Sequence, residues 1–433
     1  MDIDRLYDLF LQYPQVETDT RKLQSGSLYF ALKGPHFNGN TFAAEALNRG
    51  AAYAIVDERI EPWSDRYLLV PDVLTCLQDL ALHHRRQFSI PFLAITGSNG
   101  KTTTKELIHQ VLSMSYITYT TQGNLNNHIG IPLSLLRVKK DAQMAVIEMG
   151  ANHQQEIDGY CRYTLPTHGI ITNCGKAHLE GFGGVEGVRK GKGELYDHLR
   201  QHQGTVFVMW DYDYLRKMSE GIPHRITYGT HDADITGSIS QNDPFLEVNI
   251  HPSKTPGFKI SSQLVGEYNL GNLLVAVAVG RHFQVPDLHI QKALEAYHPS
   301  NSRSQLMEKN GNRFVLDAYN ANPSSMRAAI ENFARLPFPN KILILGSMAE
   351  LGSESRREHE SILQLIQSHT WKQVVLVGAA FTALPHPFLS FANADEAARW
   401  FQQQHFTHHS FLVKGSRSMQ MEKVIEDVPL KKK

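Results

Sequence analysis

The stretch PFLAITGSNGKTTTKELIHQVLSMS, residues 91–115, decides how the rest of the chain reads. Its first six residues form an apolar, strand-like run, and the segment from Lys101 onward reads as a helix. Between them lies Thr96-Gly97-Ser98-Asn99-Gly100-Lys101-Thr102-Thr103. A loop at that junction can aim backbone N–H groups and the positive end of a helix at phosphate oxygens. Lys101 is placed to meet β and γ phosphates, and the Thr102 hydroxyl to ligate Mg²⁺. The general pattern has a further Gly where Ile95 stands, so this is a shortened GxxGKT whose weight comes from its strand–loop–helix context. The bland alternative is a glycine-rich surface turn with a solvated lysine.

Working outward, short β-rich runs alternate with helical patterns through most of the chain, which predicts α/β layers with largely parallel sheets. Before the loop come the strands SLYFAL (27–32) and AAYAIVD (51–57), with the helix-like TFAAEALNRG (41–50) between them and another helix over 73–88. After it come MAVIEM (144–149), GIITN (169–173) and TVFVM (205–209), then short strands over 222–258 and a helix LGNLLVAVAVGRHF (270–283). The last part holds RFVLDAY (313–319), KILILGS (341–347), QVVLVGA (373–379) and SFLVKGS (410–416), the makings of a small doubly wound domain. We therefore expect three domains: a small N-terminal α/β substrate domain over 1–89, a central P-loop domain with a parallel sheet over 90–299, and a C-terminal Rossmann-like domain over 300–433. A length of 433 residues agrees with that number at roughly 150 residues per domain.

Composition narrows the class. Lys plus Arg number 43 against 43 Asp plus Glu, and a net charge of zero argues against a protein built to grip nucleic acid or an anionic membrane. Three cysteines, Cys76, Cys161 and Cys174, make no CxxC pair and no disulfide framework, which suits a reducing compartment. The start, MDIDRLYDLF, lacks the basic and apolar regions of a signal peptide, and no apolar run approaches membrane-span length. The expectation is a cytoplasmic chain.

Two later strand ends carry candidate chemistry. Glu148 follows a β-branched run, and a carboxylate there can hold the Mg²⁺ of a bound nucleotide. His178 lies in NCGKAHLEGFGG (173–184), read as a loop after GIITN, as a metal or phosphate ligand. A GTPase would carry a guanine-reading NKxD, and none occurs.

Together these segments resemble the Mur ligase family of ATP-dependent amide-bond ligases, over essentially the whole chain. TGSNGKTTTKE is similar to the family's ATP loop; NCGKAHLEGFGG, KGKGELY (190–196), NSRSQ (301–305), LDAYNANPSSM (316–326) and LVKGSR (412–417) follow in family order. GNLNNHIGIPLSLL (123–136) and EMGANHQQEI (148–157) resemble the member that adds D-alanyl-D-alanine to UDP-N-acetylmuramoyl-tripeptide. The resemblance implies that Gly97 to Thr103 cradle ATP, with Lys101 and Thr102 on phosphate and metal, and Glu148 on the first of two Mg²⁺ ions. It implies that His178 reaches the second metal and that Lys192 is carried as a carbamate, an anionic oxygen ligand made from an amine and CO₂. Composition alone would leave Lys192 as surface charge. Asn269 and Asn272 resemble the asparagines near the adenine, Arg303 the nucleotide arginine, and Asp317, Tyr319 and Asn320 the C-terminal domain's share of the nucleotide site. Asp19, Thr20, Arg21, Lys33, Asn38 and Gly39 resemble the UDP-sugar cradle, and Asn124, Asn126 and Asn127 a further substrate segment.

Some positions depart from the family. Thr20 replaces Ser, Asn38 and Asn40 stand where Asp and His are common, Tyr268 precedes Asn269 in place of His, and Ser347 replaces Asp. The implied reaction is a ligation through an acyl phosphate, in a monomer without nucleic-acid or membrane partners. Its alternatives are a Mur-type ligase adding a single amino acid, a folylpolyglutamate synthase, and a regulator that keeps the fold without turnover.

Overall fold

Leu28–Phe30 and Tyr53–Val56 are the inner strands of a four-stranded parallel sheet, flanked by Val16–Glu17 and Tyr67–Leu69. The computed structural model describes residues 2–253, 256–299 and 302–426. The boundary expected at 299/300 adjoins residues 300 and 301, which lie outside the described residues, as does the Lys431–Lys433 tail. The chain packs as two compact units, one of Met1–Ala94, Tyr116–Gly150 and Glu156–His168, the other of Ile95–Ser115, Ala151–Gln155 and Gly169–Lys433.

In the first unit, Tyr29, Ala31, Ala54 and Val56 share a core with Ala43, Ala46 and Leu47 of the helix Ala43–Asn48. The helix Val73–Arg85 starts where Asp72 accepts the Thr75 N–H at 2.6 Å, a side-chain cap for an otherwise orphaned donor. It ends earlier than the apolar pattern predicts, because Gln87 and Phe88 turn back onto the carbonyls of His84 and Arg85 in tighter i→i−3 bonds. Arg85 is buried and donates to the carbonyls of Thr164, Leu165 and Phe88 at 2.8, 2.8 and 2.9 Å, so its charge is solvated by main chain. In the same unit Thr118–Thr120 pairs in parallel with Met144–Glu148, and the helix Gly130–Leu136 is buried at every residue.

In the second unit the strands His168–Ile171, Thr205–Met209, His224–Gly229, Ile235–Asn242, Leu246–Pro252 and Phe258–Ser261 lie side by side in chain order. The pairing is parallel from Thr205 to Ile235 and antiparallel beyond, where turn residues permit a meander. The helix Leu270–His282, uniformly apolar over Leu273–Val279, is buried there and packs on the helix Lys101–Ser113. Each such aliphatic side chain contributes roughly 1.5–3 kcal/mol on burial.

The last sheet of this unit has the order Gln305–Lys309, Asn312–Asp317, Ser410–Lys414, Lys341–Gly346, Gln373–Val377, Leu389–Phe391. Its four inner strands are those expected from sequence. They are parallel and almost wholly buried, as strands covered on both faces must be.

Candidate active site

The glycine-rich loop opens after Thr96 and closes into the helix Lys101–Ser113. Gly97 has φ +143, and a Cβ there would lie 2.0 Å from Thr172 Oγ1, so only glycine fits. The loop is pinned from the neighbouring strand end: the Ser98 N–H donates to the Asn173 carbonyl at 2.9 Å, and the Asn99 N–H to Asn173 Oδ1 at 3.1 Å. Thr172 Oγ1 and Asn173 Nδ2 donate in turn to the Asn99 carbonyl at 2.6 and 3.1 Å. Ser98 and Asn99 thus spend their N–H groups on the scaffold, leaving phosphate binding to the helix start itself. The ammonium of Lys101 is folded over the loop, donating to the Gly97 carbonyl at 2.6 Å, and Thr102 is buried behind it.

Asn272 accepts from Thr104 Oγ1 at 3.0 Å and donates to Asn269 Oδ1 at 2.9 Å, while Asn269 donates to the Val265 carbonyl at 2.9 Å. The adjoining Tyr268 hydroxyl meets Ser304 Oγ at 2.8 Å, and the Ser304 N–H donates to Asp317 at 3.1 Å. Asp317 forms a 2.5 Å ion pair with the buried Lys414, which also donates to the Asn320 carbonyl at 3.1 Å. The Arg303 guanidinium lies 3.6 Å over the Tyr319 ring, with Arg417 at 5.7 Å. Arg303 Nε is buried and finds no hydrogen-bond partner among the described residues, which suits a group oriented toward an anionic ligand. These contacts bring together positions that are separate in sequence, at 104, 268–272, 303–304, 317–320 and 414.

On the other side of the loop, Asn322 donates to Asn99 Oδ1 at 2.7 Å while capping the helix Pro323–Arg335. Ser324 Oγ accepts the Lys176 N–H at 3.0 Å, and Lys176 Nζ pairs with the buried Glu358 at 2.5 Å. His178 Nδ1 contacts the Glu350 carboxylate, and that neighbour holds the Glu350 carboxyl below its usual range. The segment read as an open loop is partly a helix, Leu179–Phe182, because Leu179 and Phe182 are buried and draw one turn of backbone inward. Asn173, Asn322, Ser324, Glu358 and Lys414 were not singled out in sequence; all but Glu358 lie in the family-like segments, and Asn322 also carries the signal of a cap before Pro323.

Lys192 is not surface charge. On the helix Val185–Gln201 it is 1% exposed, donates to the Ala151 carbonyl at 2.9 Å, and has its ammonium 4.9 Å from the Phe182 ring. Cys174 is also buried, which pushes its thiol up to about 12 and makes it no nucleophile.

The remaining candidate residues belong to the first unit and are described within it. Glu148 is 1% exposed; its N–H donates to Thr121 Oγ1 at 3.0 Å and its Oε1 accepts from Asn126 at 2.7 Å. Asn127 Oδ1 accepts the N–H groups of Ile129 and Gly130 at 3.2 and 2.9 Å, so its side chain starts the helix Gly130–Leu136. Thr20 is buried, and the Arg21 guanidinium beside Asp19 holds that carboxyl at about 2. Lys33 pairs with Asp57 and Glu58, both at 2.9 Å, and Glu58 also accepts from Asn38 at 2.9 Å. The Gly39 carbonyl accepts from the Tyr29 hydroxyl at 3.0 Å. Asn40 donates to Asp57 at 2.8 Å and Asn38 at 2.9 Å.

Residues 95–280 match the model of the Mur ligase middle domain, and residues 302–417 that of the Mur ligase glutamate ligase domain. A curated Escherichia coli relative, UDP-N-acetylmuramoyl-tripeptide–D-alanyl-D-alanine ligase, is 33% identical over 95% of this chain and 92% of its own length. The chain belongs to the Mur ligase family. Its three-domain α/β architecture is the family's: a crystal structure of MurF from Acinetobacter baumannii superposes with TM-score 0.87 at 32% identity, covering 95% of this chain and 92% of the other. A Thermotoga maritima MurF ligase, solved in complex with ADP, superposes with TM-score 0.86 at 26% identity, covering 96% and 97%. As a Mur ligase the chain is an ATP-dependent ligase. Among the described residues no helix is long and apolar enough to cross a membrane, and no group of three His, Cys, Asp or Glu could hold a metal unaided.

Proposed function

We propose that this Mur ligase joins the amine of D-alanyl-D-alanine to the terminal carboxylate of UDP-N-acetylmuramoyl-tripeptide, with ATP converted to ADP and phosphate, as a cytoplasmic monomer in peptidoglycan precursor synthesis. The observation that carries the reading is the phosphate loop set in a chain that aligns along nearly its whole length with ligases named for that reaction. The domain limits 1–89, 90–299 and 300–433 belong to the same proposal.

A carboxylate is a poor electrophile, so the substrate carboxylate attacks the γ-phosphorus of ATP, and the dipeptide amine displaces phosphate from the acyl phosphate. Two anions meet in the first step, and the protein's work is positioning and charge compensation. Lys101 shifts from loop carbonyls to phosphate oxygens, while Gly100 to Thr103 present the helix N-terminus. Asn269, Asn272, Arg303, Asp317, Tyr319 and Asn320 hold the nucleoside end. The Asp19 to Arg21 turn, Lys33, Asn38 and Gly39 receive the UDP-sugar, and Asn124, Asn126 and Asn127 belong to the substrate segment.

Thr102, Glu148, His178 and a carbamylated Lys192 would be the protein ligands of two Mg²⁺ ions, which when bound neutralise phosphate charge. The donor chemistry of Thr102, Glu148 and the carbamate fits: hydroxyl and carboxylate oxygens suit a hard cation that usually completes its shell with phosphates and water, and His178 would add an imidazole nitrogen. Lys192 fits carbamylation because the modified nitrogen keeps one N–H, which can go on donating to the Ala151 carbonyl.

Phosphate release is measured with UDP-N-acetylmuramoyl-tripeptide and either D-alanyl-D-alanine or single amino acids. Turnover requiring the dipeptide supports the reading; preference for one amino acid, or no turnover with either, overturns it. Lys192→Ala should lose activity by about two orders of magnitude, the size of an effect on a group acting in the transition state, with partial recovery in formate or acetate. Full activity without added carboxylate would remove the carbamate from the scheme.

A further inference from the structure

We infer that Lys176 and Glu358 form a positioning pair that clasps the C-terminal part of the second unit onto the phosphate loop, without touching substrate. Lys176 follows Gly175, whose carbonyl accepts from Ser98 Oγ of the phosphate loop at 2.9 Å, so its main chain is fixed to the ATP cradle. Its N–H is held by Ser324 Oγ at 3.0 Å and its ammonium by Glu358 Oε1 at 2.5 Å. Glu358 sits in the first turn of the helix Ser355–Gln367, with its side chain 6% exposed, whereas the Lys176 side chain is 45% exposed. The asymmetry matters. A carboxylate this deep needs a cation, and the cation comes from the far segment, so opening that contact strands a buried charge.

Two neighbouring contacts run in the same direction. Glu350, on the loop before that helix, meets His178, and Asn322 meets Asn99. Both of those lean on groups already assigned to the nucleotide or metal; the Lys176–Glu358 pair has no such duty, and nothing in the ligation chemistry uses it. Its role is to make the closed arrangement the preferred one once both substrates are present, which excludes water from the acyl phosphate. The inference rests on the ligase reading, and on the C-terminal part closing over the phosphate loop during turnover because an acyl phosphate left in water hydrolyses.

The test is a double-mutant cycle on the full chain with Lys176→Met, Glu358→Gln and the combination, reading kcat for phosphate release, KM for ATP, and ligand-induced compaction by X-ray scattering. Each single substitution should lower kcat about tenfold, within the range over which residues in direct contact couple, with KM for ATP within about twofold of wild type. The combination should lose no more than either single, since one interaction is broken in all three, and Lys176→Arg should retain most of the rate. Thermal unfolding of each variant corrects the rates for folded fraction. Wild-type kcat in either single variant, or losses that multiply in the combination, overturns the clasp. If wild-type protein itself fails to compact with ATP analogue and substrates, it is the closure reading that falls.

Discussion

Replacing Gly97 by alanine tests the phosphate loop where its geometry is least forgiving. The new Cβ would lie 2.0 Å from Thr172 Oγ1 and 3.1 Å from the Asn173 carbonyl. Thr172 cannot simply rotate away, because its hydroxyl is bonded to the Asn99 carbonyl at 2.6 Å and that bond holds the loop to the strand end. Overpacking of this kind costs about 1–3 kcal/mol. The backbone, at φ +143, adds a strain of about 1–3 kcal/mol once a side chain is present. The sum is a loss of about 2–6 kcal/mol, a large share of the roughly 5–15 kcal/mol that holds a typical domain.

The assay is thermal unfolding with and without ATP and Mg²⁺. Ligand at about a hundred times its Kd stabilises wild type by about 2.7 kcal/mol, whereas Gly97→Ala should melt lower and gain almost nothing. Adding Thr172→Ala removes the nearest clashing atom, so the double variant should recover part of the stability but only part of the ATP response, since the shortest bond to the Asn99 carbonyl is lost while those from Asn173 remain. A Gly97→Ala protein with a full ATP shift would refute the loop assignment. A double variant no more stable than the single would refute the steric account.

Other expectations follow from individual contacts. Asn322→Ala removes a helix cap and the bond to Asn99 together, so urea unfolding should show a loss of about 1–2 kcal/mol, the upper range for a cap. Glu350→Gln acts through a carboxyl held low by the His178 imidazole. A carboxyl depressed in the folded state stabilises at pH above its unfolded value, about 4.3, and that contribution disappears as pH falls through the folded value. The melting-temperature gap between wild type and Glu350→Gln should therefore be present at neutral pH and close in acid; a gap that widens in acid would contradict the contact.

How much of this was legible in sequence depended on whether the signal was local. The strands at 92–96, 144–148 and 205–209 are short apolar runs with polar or glycine punctuation, and they lie where that pattern puts them. The two-residue strand Val16–Glu17 and the edge strand Leu389–Phe391 have no such signature; partners distant in sequence define them. Lys192 shows the limit most clearly. The helix Val185–Gln201 reads as polar and glycine-rich, a poor helix on propensity alone. The glycines are there for close approach: a Cβ on Gly191 would lie 2.4 Å from the Phe182 ring. That tight contact buries the lysine beside it, and the reason lies outside the segment.

The substitution at Ser347 raised a question that packing answers. Ser347 is 9% exposed and turns inward, its hydroxyl donating to the Val377 carbonyl at 3.2 Å, so it presents no charge. Twelve residues on, His359 is fully buried and spends both ring nitrogens on main chain: one accepts the Met348 N–H at 3.0 Å, the other donates to the Ser355 carbonyl at 2.7 Å. Burial lowers its pKa, and these bonds fix the neutral tautomer, so it serves as an anchor for the loop after Gly346. Anchoring Met348 sets the path of the next two residues, and Glu350 arrives at His178 with its backbone in the left-handed region, φ +61. The loop therefore keeps one carboxylate aimed at the 173–178 segment, three residues beyond Ser347, with His359 holding the turn that brings it there.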